Sequence, residues 1–143
     1  MKKNGFTLVE LLAVIAILAI LVIMALPAVL NMFTKARVDT FENEVKTIYR
    51  TAQQNYLLNG GAEVSYGNKP ASSSVTCKAL DMTGNASLQY YIKIDGNGKV
   101  KKLEATNGTY HYTTGSTEVA DLAIDAIVVN KNQTAVTPTA CGS

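Results

Sequence analysis

The apolar run from Leu11 to Leu30 constrains this chain more than any other stretch of its sequence. No charged side chain occurs between Leu11 and Thr34, and the first twenty of these residues are all apolar. Twenty apolar residues, at a rise of about 1.5 Å each, are enough for one helical crossing of a bilayer. Glu10 does not fit a plain anchor, because a carboxylate at the edge of such a run is costly in lipid and indicates a functional site.

The residues that precede the run limit how it can be used. Lys2 and Lys3 orient the run with its N-terminus in the cytoplasm. A cleaved secretory signal has an apolar region of about 7 to 15 residues and then a small-residue cleavage site, whereas this run is longer. Hydropathy alone therefore favours an uncleaved, single-pass signal anchor.

The apolar run continues without a break into an amphipathic pattern. Apolar residues recur at steps of three or four and form one stripe: Val38, Phe41, Val45, Ile48, Ala52 and Tyr56. Asn59-Gly60-Gly61 then supplies a helix exit. The pattern predicts one helix from about Thr7 to Leu58, with an apolar part over 6–34 and an amphipathic part over 35–58. Pro27 removes a backbone hydrogen bond and predicts a bend or local melting between Met24 and Pro27.

The C-terminal part of the chain has β-type patterns separated by turn residues. We expect a loop over 59–87 and a three-stranded antiparallel meander over 88–114, with turns at 95–98 and 107–108. Residues 118–125 remain open between a short helix and a loop, and 126–129 are a candidate fourth strand. The prediction is an α+β fold, in which a small antiparallel sheet covers the helix stripe and forms a head over 35–143.

Charge and the remaining motifs give little support for a catalytic, metal-binding or nucleic-acid-binding site. The 13 basic and 11 acidic residues leave a formal charge of +2, which Lys2 and Lys3 account for. The one basic cluster contains Lys93, Lys99, Lys101 and Lys102; we interpret it as a solubilising edge and keep nucleic-acid contact as the alternative. His111 is the only histidine, and the turn at 95–98 lacks the later ligands of a calcium loop. We predict no enzyme, no cofactor and no metal site.

The segment Gly5–Glu10, GFTLVE, resembles the class III signal of type IV pilins and pseudopilins. The resemblance rests on the basic leader, the Gly-Phe junction, Thr7, the spacing to Glu10 and the apolar run, and it covers about the first 35 residues. It implies that a prepilin peptidase removes residues 1–5 by cutting after Gly5 and methylates the new terminus, Phe6. It also implies an assembly and register role for Glu10 and Thr7, in which the Glu10 carboxylate would pair with the Phe6 amine of a neighbouring subunit.

The resemblance further implies a life cycle and a set of partners. The precursor would sit in the cytoplasmic membrane as a single-pass protein, and the processed chain would form a homo-oligomeric helical filament on the cell surface. An assembly platform and minor pilins would be its other partners. A pseudopilin of a type II secretion or DNA-uptake filament is the nearest alternative. A membrane-anchored domain that never polymerises, and so retains residues 1–5, is another.

Cys77 and Cys141 both lie outside the apolar run. In an exported domain the two cysteines are expected to pair, and the bridge would contribute about 4 kcal/mol on the chain-entropy model. In the pilin family such a pair bounds an exposed C-terminal segment, which here would correspond to 115–143. Two reduced thiols remain the alternative.

Overall fold

The computed structural model describes residues 5–68, 78–82, 84, 86–115 and 117–139. Within these ranges the elements are a 51-residue helix, four strands and one 3-10 turn. They are α1 (Leu8–Leu58), β1 (Val64–Gly67), β2 (Gln89–Ile94), β3 (Val100–Thr106), β4 (His111–Thr113) and the 3-10 turn Ile124–Ala126. The chain divides into two compact units, Met1–Arg37 and Val38–Ser143.

In the first unit α1 is apolar on every side. The helix begins immediately after Thr7, and the Leu11 N–H donates to the Thr7 carbonyl at 3.2 Å. Every large apolar side chain that the structure describes between Phe6 and Phe33 is exposed. This part of α1 therefore has no protein core of its own to pack against.

In the second unit α1 becomes one-sided, as the apolar stripe predicts. Phe41, Val45, Ile48 and Ala52 are almost completely buried, and they share one core with the inner face of the sheet. Charged side chains occupy other faces of the same turns. The predicted α+β arrangement, a long helix packed on a small antiparallel sheet, is confirmed.

The sheet is a continuous antiparallel meander in the order β1-β2-β3-β4. Tyr66 pairs with Ile92, and Ile92 in turn pairs with Leu103. The register between β2 and β3 shifts by one residue between Lys93 and Ile94, because β3 has an extra residue, Lys101, at this point. The strands β2, β3 and β4 lie where the sequence predicted the three-stranded meander.

The position of the fourth strand differs from the prediction. The sequence indicated a loop over 59–87, but Val64–Gly67 forms β1 and pairs with β2 along its whole length. Short length and a glycine- and serine-rich neighbourhood hid this strand, although its Tyr66 side chain is only 1% exposed. The tertiary pairing with β2 decided the outcome, because a four-residue segment carries little periodicity of its own.

Residues 126–129, the candidate fourth strand, do not pair with the sheet. The Val129 N–H instead donates at 3.2 Å to the carboxylate of Glu42 on α1. Ile127 and Val129 are buried, so the alternation that suggested a strand reflects core contact without a β-ladder. Residues 118–125 resolve as a loop that ends in the 3-10 turn.

Residues 136–139 contact the face of the sheet that points away from α1. Successive side chains of β3 alternate between faces, so Leu103 enters the core while Glu104 and Thr106 point outward. Both outward side chains are nevertheless at most 7% exposed. Thr139 covers Glu104 by donating a hydrogen bond to its carboxylate. Pro138, the residue before Thr139, is fully buried.

Candidate assembly helix and head surfaces

The first turn of α1 is closed by reciprocal hydrogen bonds between Thr7 and Glu10. The Glu10 N–H donates to the Thr7 hydroxyl at 3.2 Å, and the Thr7 N–H donates to Glu10 Oε2 at 3.3 Å. The Thr7 hydroxyl lies 3.2 Å from the same Oε2. This is a capping box, which satisfies two backbone donors that a helix start leaves unpaired. The sequence signal was present as T-x-x-E over Thr7–Glu10, and our sequence reasoning did not use it.

The capping box places the Glu10 carboxylate beside the predicted cleavage junction. All of its contacts in the described part of the chain involve Oε2, so Oε1 accepts no hydrogen bond there. A capped carboxylate of this kind can hold its own helix start with one oxygen and accept a cation with the other. The negative charge also lies at the positive end of the helix dipole.

The surface behind the first turn is uniformly apolar. Phe6 is 89% exposed and Met24 73%, and the remaining large side chains of this stretch are also open to solvent. Among the residues that the structure describes, α1 is the one helix that is long and apolar enough to cross a membrane. An apolar surface of this extent requires lipid or other protein around it.

Pro27 lies inside α1, which continues through it. Because proline lacks an N–H, the Ile23 carbonyl loses its usual helix partner at this point. The bend or local melting between Met24 and Pro27 stays a prediction.

The four lysines of the basic cluster are all paired with acidic side chains. Lys93 lies 2.7 Å from Glu118 and 3.2 Å from Glu63, which together raise the pKa of the lysine above its usual range. The other three ion pairs are Lys99–Asp121 at 3.9 Å, Lys101–Asp95 at 3.4 Å and Lys102–Glu104 at 3.3 Å. The cluster is therefore a set of ion pairs at the sheet, not a continuous basic surface that would favour phosphate.

Asp95 forms a tight turn. Its Oδ1 accepts hydrogen bonds from the backbone N–H groups of Asn97 and Lys99, both at 2.9 Å. These two bonds and Lys101 hold the pKa of the Asp95 carboxyl below its usual range. Over the described ranges, no group of three or more His, Cys, Asp or Glu side chains could hold a metal ion.

His111 contributes to packing of the C-terminal segment. Its Nδ1 lies 2.8 Å from the Thr106 hydroxyl and accepts a hydrogen bond from the Val136 N–H at 3.3 Å. Through these contacts His111 links β3 to residue 136.

Glu104 binds Thr139 and so holds the C-terminal segment on the sheet; this contact, called the Glu104–Thr139 clamp below, was not predicted from the sequence. Glu104 Oε2 accepts hydrogen bonds from both the N–H and the hydroxyl of Thr139, each at 2.6 Å. Lys102 donates to the Thr139 hydroxyl at 2.9 Å and lies 5.9 Å from the centre of the Tyr91 ring. Because 35 residues separate the clamped positions, no local pattern could have revealed them. Cys77 and Cys141, the predicted disulfide, lie outside the described residues.

The comparisons with known proteins identify the N-terminal segment. Residues 1–26 match a family model described as the prokaryotic N-terminal methylation motif. No curated protein and no solved structure matches the chain. The motif supports a type IV pilin-like or pseudopilin-like structural precursor. The apolar start of α1 suits a membrane-anchored form of such a precursor.

Proposed function

We propose that this chain is a structural subunit of a type IV pilus-like surface filament. In this proposal the precursor is held in the cytoplasmic membrane by α1, a prepilin peptidase cuts after Gly5, and Phe6 becomes the methylated N-terminus. The processed subunits then polymerise through residues 6–34, and the heads form the outer surface of the filament.

The observation that carries the proposal is the methylation motif on a helix whose apolar surface is exposed all round. The motif covers residues 1–26, and the large apolar side chains from Phe6 to Phe33 are exposed in the part of the chain that the structure describes. An anchor needs lipid around such a surface, whereas a filament subunit can replace that lipid with copies of the same helix. Side-by-side packing of these helices would bury the surface and supply the affinity for assembly.

Glu10 gives this packing a defined register. Apolar helices slide past one another at little cost, and one buried ion pair selects a single offset. Cleavage after Gly5 would create an amine at Phe6, four residues from Glu10. A pair between Glu10 of one subunit and the Phe6 amine of the next sets their displacement at about 6 Å along the helix.

Blocking the cleavage tests the proposal. A Cβ added at Gly5 would meet no atom within 4 Å, so Gly5→Val leaves the fold intact. We expect uncut precursor in the membrane and no surface filament from cells that also carry the peptidase. Gly96→Val is the matched control, because a Cβ there is equally unobstructed, and filaments should form normally. Normal filaments from Gly5→Val would overturn the proposal.

The alternative, a pseudopilin of a secretion or DNA-uptake filament, shares the N-terminal motif. The two are separated by where the processed chain accumulates. A pilus subunit is recovered in long filaments sheared from the cell surface, whereas a pseudopilin stays with the cell envelope after shearing.

A further inference from the structure

A cavity of about 290 Å³ lies between α1 and the segment that leads into β2, within the second unit of the chain. Thr40, Asn43, Glu44 and Thr47 of α1 line one wall, and Met82 and Leu88 line the other. The threonines and Asn43 are exposed, so the cavity opens to solvent along the helix. It is large enough for one long side chain, and its walls are mixed polar and apolar.

Among the described residues that line this cavity, Glu44 is the one with a charged side chain. Its Oε2 is buried and has no hydrogen-bond partner. Removal from water raises the pKa of the carboxyl, and no cation among the described residues opposes that effect. A buried carboxylate oxygen without a donor is costly, and it indicates a partner other than the described residues of the same chain.

We propose that this cavity binds the Arg50 guanidinium of a second copy of the chain, with Glu44 as its counter-ion. This inference rests on the proposed filament, in which identical copies lie side by side. Arg50 is exposed on α1, and it forms no ion pair within the part of the chain that the structure describes. An arginine stem suits the Met82 and Leu88 wall, while its planar head matches a carboxylate.

The filament register brings these two residues to the same level. If Glu10 of a lower copy pairs with the Phe6 amine of the copy above, every residue of the upper copy is displaced by the equivalent of four helix residues. Arg50 of the lower copy then lies level with position 46 of the upper copy. The remaining separation from Glu44 along the helix is two residues, or about 3 Å, which an arginine side chain spans.

The directions of the two side chains fit a contact between copies and exclude one within a copy. Glu44 and Arg50 are six residues apart on one helix, so they point about 120° away from each other around its axis. A helical filament has heterologous interfaces, in which two different patches of the same subunit meet. Two such patches at the same level of α1 satisfy that requirement.

Replacing Glu44 by Gln gives opposite results in the subunit and in the filament if the inference is right. In detergent micelles the full-length Glu44→Gln subunit should unfold at the same or a higher temperature than wild type, because a costly buried charge is removed. Its filaments should be recovered in yields lower by roughly tenfold or more, because Arg50 loses its partner. Asp39→Asn removes the same charge from an exposed position on α1 and should change neither measurement.

Cross-linking and charge exchange identify the partner. Oxidation of filaments carrying Glu44→Cys and Arg50→Cys together should give a ladder of covalent oligomers that each single variant lacks. Arg50→Glu alone should lower the filament yield. The double variant Glu44→Arg with Arg50→Glu, in which the two charges are exchanged, should restore it.

A Glu44→Gln subunit that unfolds at a lower temperature, or filaments that show neither ladder nor rescue, would overturn this inference. Normal wild-type filaments accompanied by those negative results would leave the proposed function standing. Failure of the wild-type chain to form any filament would overturn both.

Discussion

Thr7 and Glu10 satisfy each other's backbone N–H groups across the first turn of α1. The Thr7 hydroxyl accepts from the Glu10 N–H at 3.2 Å, and Glu10 Oε2 accepts from the Thr7 N–H at 3.3 Å. The carboxylate that we expect to set the register of the filament is therefore also part of the cap that starts the helix. These two roles can be separated, because a capping box accepts glutamine in place of glutamate, whereas an ion pair does not.

Glu10→Gln should preserve the helix start and abolish ordered assembly. The amide can still accept the Thr7 N–H, but it carries no charge for the Phe6 amine of a neighbour. We expect normal membrane insertion and leader removal, with filaments absent or irregular in negative-stain electron microscopy. Ordered filaments with wild-type helical parameters would show that the Glu10 charge does not set the register.

Thr7→Ala tests the cap by itself. Loss of the hydroxyl should cost about 1 kcal/mol of helix stability and increase hydrogen exchange of the first turn in micelles. Thr7→Ser retains the hydroxyl and serves as the control, with exchange close to wild type. Equal exchange in the two variants would contradict a capping role.

Glu42→Gln should destabilise the head in a pH-dependent way. Lys46 and the Val129 N–H bind the carboxylate at 2.6 and 3.2 Å, and they hold its pKa below the ordinary value of 4.5. The folded state therefore gains stability above the unfolded pKa, and it loses that stability as the pH falls through the lower folded pKa. We expect a difference of about 1 kcal/mol at pH 7, discounted for partial exposure.

Chemical denaturation of both full-length proteins in micelles between pH 7 and pH 3 measures this effect. The wild-type advantage should disappear towards the acid end of the range. An advantage that stays constant with pH would mean that the side chain stabilises the head through packing and not through its charge.

Glu104→Gln should loosen the C-terminal segment from the sheet. Glu104 accepts two hydrogen bonds of 2.6 Å from Thr139 and is 6% exposed, so loss of its charge should cost about 1 to 3 kcal/mol. Trypsin cleavage at the exposed Lys131 reports the release. Glu118→Gln removes an exposed charge partner of Lys93 and should leave the rate of cleavage at Lys131 unchanged. Identical rates for Glu104→Gln and wild type would refute the clamp.

Pro27→Ala should make the apolar half of α1 more regular. The alanine N–H can bond to the Ile23 carbonyl, which removes a helix penalty of about 3 kcal/mol. In assembled filaments, hydrogen exchange at positions 24–26 should be slower than in wild type. Equal protection in both proteins would indicate that the wild-type helix is already unbroken there.

The long helix was predictable from sequence because two patterns extend over many turns. The first is the uniformly apolar run, and the second is the apolar stripe at steps of three or four residues. The stripe residues Phe41 and Ile48 are buried in the core as that periodicity requires. β1 was missed because four residues carry no period, and its existence depends on pairing with β2. Residues 126–129 have the alternation of a strand but contact α1 through Val129.

The same distinction holds for the candidate site. The motif Gly5–Glu10 consists of neighbouring residues and is visible in the sequence itself. The Glu104–Thr139 clamp joins residues that are far apart in the chain. The Glu44 cavity depends on the segment that crosses α1 near Met82, and no pattern in the sequence fixes that crossing. The local sequence therefore revealed the N-terminal methylation motif, whereas these two features of the head became visible only in the structure.

Intact-mass measurement of material sheared from the cell surface tests the central claim most directly. The claim predicts a chain that lacks residues 1–5 and carries one methyl group on Phe6, recovered from filaments. The same spectrum, taken without reducing agent, would show a loss of about two hydrogens if Cys77 and Cys141 are bridged. A surface-exposed chain that still contains residues 1–5 would contradict the claim, because its α1 would then be a permanent anchor.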